Sequence, residues 1–260
     1  MSRHRAAHLD EIGAVNPEWE PSWKSIRHHL GLRAFGANAT VGDFGDRVLE
    51  PHTEATTGDE EVYLVLRGAG RFTVDEAEFD AAAGTLVWVE PAAFREATAQ
   101  ADRTVVLMVG ARAGAVYAPP DWDGGGGPDP VHEGDAPRPG RRDGHRIVHA
   151  DEVASGAGWQ RLGDRLGVRS LGIAARAGGE GDQLVDGDPE DGSAELLYVV
   201  VAGDVSFTVE DEPVDAPAGT FVLVEPGARR AAVSTGQGTL LVAFDGVPGR
   251  AYPAPAAETV

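Results

Sequence analysis

Three side chains able to hold a metal ion stand near one another in the first half of this sequence: His52, Glu54 and Glu61. On an extended chain, residues two apart face the same side, so His52 and Glu54 can converge on one point while Glu61 reaches it from a neighbouring strand. One imidazole and two carboxylates suit Fe, Mn, Ni or Zn. A second set suits an anion: Arg95 and Arg230 occupy matching places in two similar stretches, and a guanidinium beside an apolar pocket can fork onto a carboxylate or phosphate. Tyr63 and Tyr198, also matched, can donate hydrogen bonds to such a ligand. The plainer alternative is that each Arg pairs with a nearby Glu and each Tyr is core.

These residues lie in a unit that the chain contains twice. Gly45 to Ala99 and Gly181 to Ser234 carry the same pattern, with Phe72-Thr73-Val74 answering Phe207-Thr208-Val209. The repeat begins earlier still: His4 to Ile12 matches His145 to Val153, and Trp23-Lys24-Ser25-Ile26 matches Trp159-Gln160-Arg161-Leu162. The offset shortens along the chain, as expected when loops are trimmed around kept strands. Short apolar or β-branched runs closed by Gly, Asp or Pro, such as Val62-Tyr63-Leu64-Val65-Leu66 before Arg67-Gly68, predict strands, and no stretch sustains a helical period. Many regularly spaced strands in each half point to a sandwich or barrel. The Gly- and Pro-rich stretch 119–144 reads as a linker. Trp122 within it either folds back onto the first unit or is an exposed linker aromatic.

Composition narrows the function classes. A formal net charge of −20 repels phosphate backbones and anionic lipid, so neither nucleic acid nor a membrane surface is an expected partner. Without cysteine there is no disulfide framework, thiolate site or thiol nucleophile. The first residues lack the apolar run of a signal peptide, and the longest apolar run, Leu196 to Ala202, is too short to span a bilayer. The expectation is a cytoplasmic protein, monomeric or homodimeric. No phosphate loop, nucleophile elbow or zinc-protease helix occurs in the sequence.

Both units resemble the cupin family, and their pairing resembles a bicupin. Glu61 and Gly68 keep the six-residue spacing that ends the family's first motif, and Gly84 opens the second. Other positions depart. Glu54 stands at the second His position of the first motif and Arg95 at the His of the second. In the second unit Asp188, Glu190, Leu196 and Arg230 take the places of His52, Glu54, Glu61 and the motif's His. The resemblance implies two tandem all-β barrels of the jelly-roll type, at 1–118 and 145–260. The family's four-ligand metal site is intact in neither, and an Arg at a ligand position opposes a dication.

The expected function is therefore binding of a small, anionic organic molecule in a barrel cavity through Tyr63, Arg95, Tyr198 and Arg230, without a cofactor. The alternative is a metal-dependent oxygenase or isomerase using His52, Glu54 and Glu61 with one divalent Fe, Mn, Ni or Zn ion in the first barrel. A third reading is a structural bicupin without a ligand. One ambiguity matters to all three: adjacent strand residues face opposite sides, so only one of Glu60 and Glu61 points inward. Family spacing selects Glu61, whereas the repeat retains Glu60, which matches Glu195.

Overall fold

The computed structural model describes residues 2–15, 17–18, 21–124, 135–154, 158–187 and 192–253. Each half consists of a six-stranded and a four-stranded antiparallel sheet. In the first half the large sheet runs, in spatial order, His145–His149, Thr85–Val89, Asp59–Arg67, Thr104–Arg112, Gly36–Gly42, Trp23–Ser25. The small sheet runs Arg47–His52, Arg95–Ala99, Ala69–Val74, Ala77–Ala82. The second half repeats the arrangement: His4–His8, Thr220–Val224, Glu195–Ala202, Thr239–Gly246, Gly172–Gly178, Gln160–Arg161 form its large sheet. Gln183–Val185, Arg230–Ser234, Asp204–Val209 and Glu212–Pro217 form its small one.

The central strands are apolar on both sides because both sides are buried. In Asp59–Arg67, Tyr63 and Val65 enter the core between the sheets of the first half, whereas Val62, Leu64 and Leu66 enter a second core shared with the other half. The strand Glu195–Ala202 divides in the same way, Tyr198 and Val200 inward, Leu197, Val199 and Val201 toward the first half. Period-2 alternation thus supplies two cores from one continuous run. It also resolves Glu60 and Glu61. Glu60 shares the parity of Val62 and faces the other half; Glu61 shares that of Tyr63 and faces inward.

The opening segments, read in the sequence as part of their own units, cross over. His4–His8 pairs with Thr220–Val224 in the second half, and His145–His149 pairs with Thr85–Val89 in the first. Each covers an edge that would otherwise present open backbone groups. Glu60 and Glu195 fasten the halves. The Glu60 carboxylate accepts hydrogen bonds from the Arg169 backbone and guanidinium at 2.8–3.1 Å, and Glu195 accepts from Arg33 and the Ala34 backbone at 2.7–3.1 Å.

The turns follow the repeat as well. Gly68 and Gly203 both have positive φ, and a Cβ at either would strike the hydroxyl of Thr104 or Thr239, so no other residue fits there. Three α-helices of five residues each, Ile26–Leu30, Ala150–Ala154 and Leu162–Leu166, were not expected. They are too short to display a helical period in sequence. Among the described residues no helix is long and apolar enough to cross a membrane. Residues 125–134 of the stretch 119–144 lie outside the described residues; the parts on either side pack on the first half. Arg138 bonds the buried Asp75 at 3.0 Å and Glu90 at 2.6 Å, and Arg141 also reaches Glu90.

Candidate functional site

The strand Arg47–His52 ends at the mouth of the first half, where His52 is paired in register with Arg95. Glu54 follows at the start of the loop, its backbone N–H donating to the Pro91 carbonyl. Glu61 arrives from the facing sheet. Nε2 of His52 lies 3.3 Å from Glu61 and 3.6 Å from Glu54, and one potential ligand atom from each of the three residues falls within 4.8 Å of the others. The set predicted from spacing is thus a physical cluster.

Hydrogen bonding orients it. A carbonyl can only accept, so the 2.7 Å contact between His52 Nδ1 and the Glu50 carbonyl places a proton on Nδ1. Nε2 then faces two carboxylates and needs either a proton or a cation. Burial lowers the His52 pKa, but the hydrogen bond and charge of Glu61 outweigh it, and the imidazole is raised above its ordinary value. Burial likewise raises Glu61, yet His52, Arg95 and a hydrogen bond from the Tyr63 hydroxyl bring it down to about 2. Glu54 goes the other way. Burial and the Glu61 charge push it up to about 7, against a hydrogen bond from Thr57.

Arg95 is fully buried, with Nε 3.8 Å from Glu61 and its terminal nitrogens on the Pro91 and Glu90 carbonyls at 3.4 and 3.2 Å. It does not stand among the residues that line the neighbouring cavity. The cavity has a volume of about 370 Å³ and carries His52, Glu54, Asp59 and Glu61 as its ionisable floor and rim. Its other walls are largely aromatic. Trp23, Tyr117 and Trp122 line it, together with Asn38 and Met108. Trp122 folds back, its ring edge-on to Trp23 at 4.9 Å between centroids.

Sequence reasoning missed Asp59, Asn38 and Tyr117. A signal existed for Tyr117, because the repeat carries Tyr252 at the matching place. For Asp59, beside a loop that varies between the units, and for Asn38, a mid-strand residue whose place in the second unit is taken by Ala174, none did.

The second half holds a different interior. Leu196 replaces Glu61, and Tyr198 accepts a 2.9 Å hydrogen bond from Nε of Arg230, whose Nη1 reaches the Ala228 carbonyl. Trp159 lies 6.1 Å from the Tyr198 ring. Asp188 and Glu190, at the places of His52 and Glu54, lie outside the described residues. Tyr63, Arg95, Tyr198 and Arg230, all expected to contact a ligand, each have partners within the protein.

No family model matches the chain, and no curated protein matches it. Solved structures do. Protein Ylba from Escherichia coli is 11% identical and superposes with a TM-score of 0.65, over 94% of this chain and 90% of that one. The bacterial pirin YhhW of E. coli, solved in complex with nickel(II), is 15% identical with a TM-score of 0.61, covering 94% of this chain and 99% of that one. A cupin 2 conserved barrel domain protein from Leptotrichia buccalis is 10% identical with a TM-score of 0.59, covering 94% and 96%. Identities this low speak for architecture and leave chemistry to the side chains. With its antiparallel sheets, the chain has the all-β cupin fold.

Proposed function

We propose that the chain is a bicupin whose first half binds one divalent transition ion on His52, Glu54 and Glu61 and, over it, a small organic molecule with an anionic oxygen-donor head. The observation that carries this reading is the His52 ring. Its Nδ1 proton is committed to the Glu50 carbonyl, which aims the Nε2 lone pair at two carboxylates. Metal-ligating histidines are held by the same kind of outer hydrogen bond. The donor set fits: an imidazole and two carboxylates suit Fe, Mn, Ni or Zn, and three protein ligands leave positions open toward a cavity.

A bound ion would supply a Lewis acid whose open positions accept an oxygen donor. The protein's own residues do the rest. Tyr63 holds Glu61 by a hydrogen bond, and Arg95 offsets part of its charge from outside the cavity. The acidic lining repels a bare anion, so an anionic ligand enters only where the ion already balances Glu54 and Glu61. Anion capture by Arg95 and Arg230 without metal has less support, since Arg95 is fully buried with its terminal nitrogens on the Pro91 and Glu90 carbonyls and Arg230 bonds Tyr198 and the Ala228 carbonyl.

Elemental analysis of protein purified without an affinity tag tests this, beside His52→Ala and Glu61→Gln. About one transition ion per chain is expected, falling at least tenfold in both variants. Absence of metal from the wild type, after incubation with Fe, Mn, Ni or Zn, would sink the reading.

A further inference from the structure

We propose that the second half has a binding site of its own, at its mouth, for a small zwitterion with an apolar side chain, as a free aliphatic amino acid is. The ammonium sits between Asp245 and the Tyr252 hydroxyl, and the carboxylate meets Arg161. The inference does not rest on the metal reading, which concerns the other half. Three observations carry it.

The first is an exchange across one pair of strands. In the first half Glu61 stands opposite Gly110, and in the second Leu196 stands opposite Asp245. Asp245 shares the parity of Leu241 and Ala243, both in the core of the second half, so it points inward as Glu61 does. Each half thus keeps an inward carboxylate on this strand pair, but on opposite members of it.

The second is the space around Asp245. A cavity of about 410 Å³ opens there, with Val168, Leu171 and Ile173 as an apolar wall. Gly172 and Tyr252 line it, at the places that Gly36 and Tyr117 hold in the first-half cavity. A Cβ on Gly172 would collide with Oδ1 of Asp245 and come within 2.7 Å of the Tyr252 hydroxyl, so the two oxygens flank one spot that glycine leaves open. Both oxygens can accept, and an ammonium can donate to both.

The third is Arg161, which reaches the same cavity from the other side of the helix start. Ser25, at the matching place in the first half, caps its helix by accepting from the His28 backbone, whereas Arg161 makes no cap bond to the helix Leu162–Leu166. A cation there is also opposed by the helix dipole, and local rules are broken in this way at functional sites. The guanidinium pulls the Asp245 pKa down against the burial that raises it, yet among the described residues the two side chains form no ion pair and neither has a hydrogen-bond partner. Two opposite charges that share a cavity without meeting are complementary to a molecule with two charges of its own. A simple cation would leave Arg161 unanswered, and a simple anion would leave Asp245 so. Asp164, exposed at the rim, adds negative charge that water and salt screen.

The test uses compounds with one carbon skeleton: leucine, 3-methylbutylamine, which lacks the carboxylate, and 4-methylpentanoate, which lacks the ammonium. Each is titrated calorimetrically near neutral pH into the full chain treated with a chelator, and into His52→Ala, because leucine could also chelate an ion in the first half. Leucine should bind about tenfold tighter or more than either single-charge compound in both proteins. Arg161→Gln, at an exposed position, should reduce leucine to the level of the amine, and Asp245→Asn to that of the carboxylate. Gly172→Ala, which fills the open spot, should abolish binding; if it or Asp245→Asn lowers the melting temperature, Arg161→Gln decides. No leucine binding, equal affinities for the three compounds, or undiminished binding in Arg161→Gln would overturn the proposal. Elemental analysis of the untreated chain keeps the two readings apart: absence of metal ends the first-half proposal alone, and absence of leucine binding ends this one alone.

Discussion

The two halves share a scaffold and an interface but not an interior. Glu60 and Glu195 occupy the same place, each 1% exposed, and each grips an arginine just after a short helix of the other half, Arg169 after Leu162–Leu166 and Arg33 after Ile26–Leu30. One residue further on the halves part: Glu61 joins His52 and Tyr63, while Leu196 packs beside Tyr198. A strand position facing the partner half answers to a surface that both halves must build. A position facing inward answers only to its own cavity, and is free to differ.

The clamps should give the largest effect when broken. Glu60→Ala leaves the Arg169 backbone N–H and guanidinium without their carboxylate, Glu195→Ala does the same to Arg33 and the Ala34 backbone, and each should cost about 2–4 kcal/mol in urea unfolding. Near-equal costs are expected; a cost below about 0.5 kcal/mol for either would mean that the interface is not held symmetrically.

Next comes the response to pH, which belongs to the first half. Glu54 titrates near its ordinary 4.5 in the unfolded chain and at about 7 in the fold. Between these values the folded protein keeps a proton that the unfolded chain has released, so stability falls as pH rises through the window, and the loss is complete above it. His52, raised in the fold, acts in the same direction. Metal-free Glu54→Gln should therefore melt about 3–6 °C above the wild type at pH 8 and show little gain at pH 4.5. An unchanged pH profile would place the Glu54 carboxylate in water instead of beside Glu61.

The smallest effects compare the two tyrosines. Tyr63→Phe removes a hydrogen bond to Glu61, whose carboxylate also faces His52 and Arg95, and should cost about 1.5 kcal/mol in thermal unfolding, while Tyr198→Phe, whose partner Arg230 keeps its bond to the Ala228 carbonyl, should cost about 0.5–1 kcal/mol. The reverse order would mean that the Glu61 cluster does not depend on the Tyr63 hydroxyl.

Much of the architecture was legible because strand periodicity and the internal repeat are local signals. The alternation through Val62 to Leu66 carried the answer to the Glu60 and Glu61 question, but only the presence of a second buried face said which parity pointed where. The proximity of His52, Glu54 and Glu61 was legible from His52-x-Glu54 and the position of Glu61. The occupation of Arg95 was not, since its partners are the carbonyls of Glu90 and Pro91, which any residues could supply. The fold-back of Trp122 was one of two readings open in the sequence, and what decides between them was hidden for a related reason. Asp123 is an ordinary linker residue until Ser25 and Arg27, far back in the chain, come to meet it. Crossing of the opening strands was likewise beyond a local reading, because edge pairing at that sequence distance leaves no period.

That crossing also sets a timetable for synthesis. The backbone of His4–His8 leaves the ribosome long before its pairing partner Thr220–Val224 is made. At roughly 5–20 residues per second, the wait is on the order of ten seconds or more. The edge at Thr85–Val89 waits less long, until His145–His149 emerges. During that interval the nascent first half carries an open sheet edge and an uncovered apolar face, which makes it a natural client for chaperones and makes completion of the second half the step that ends its exposure.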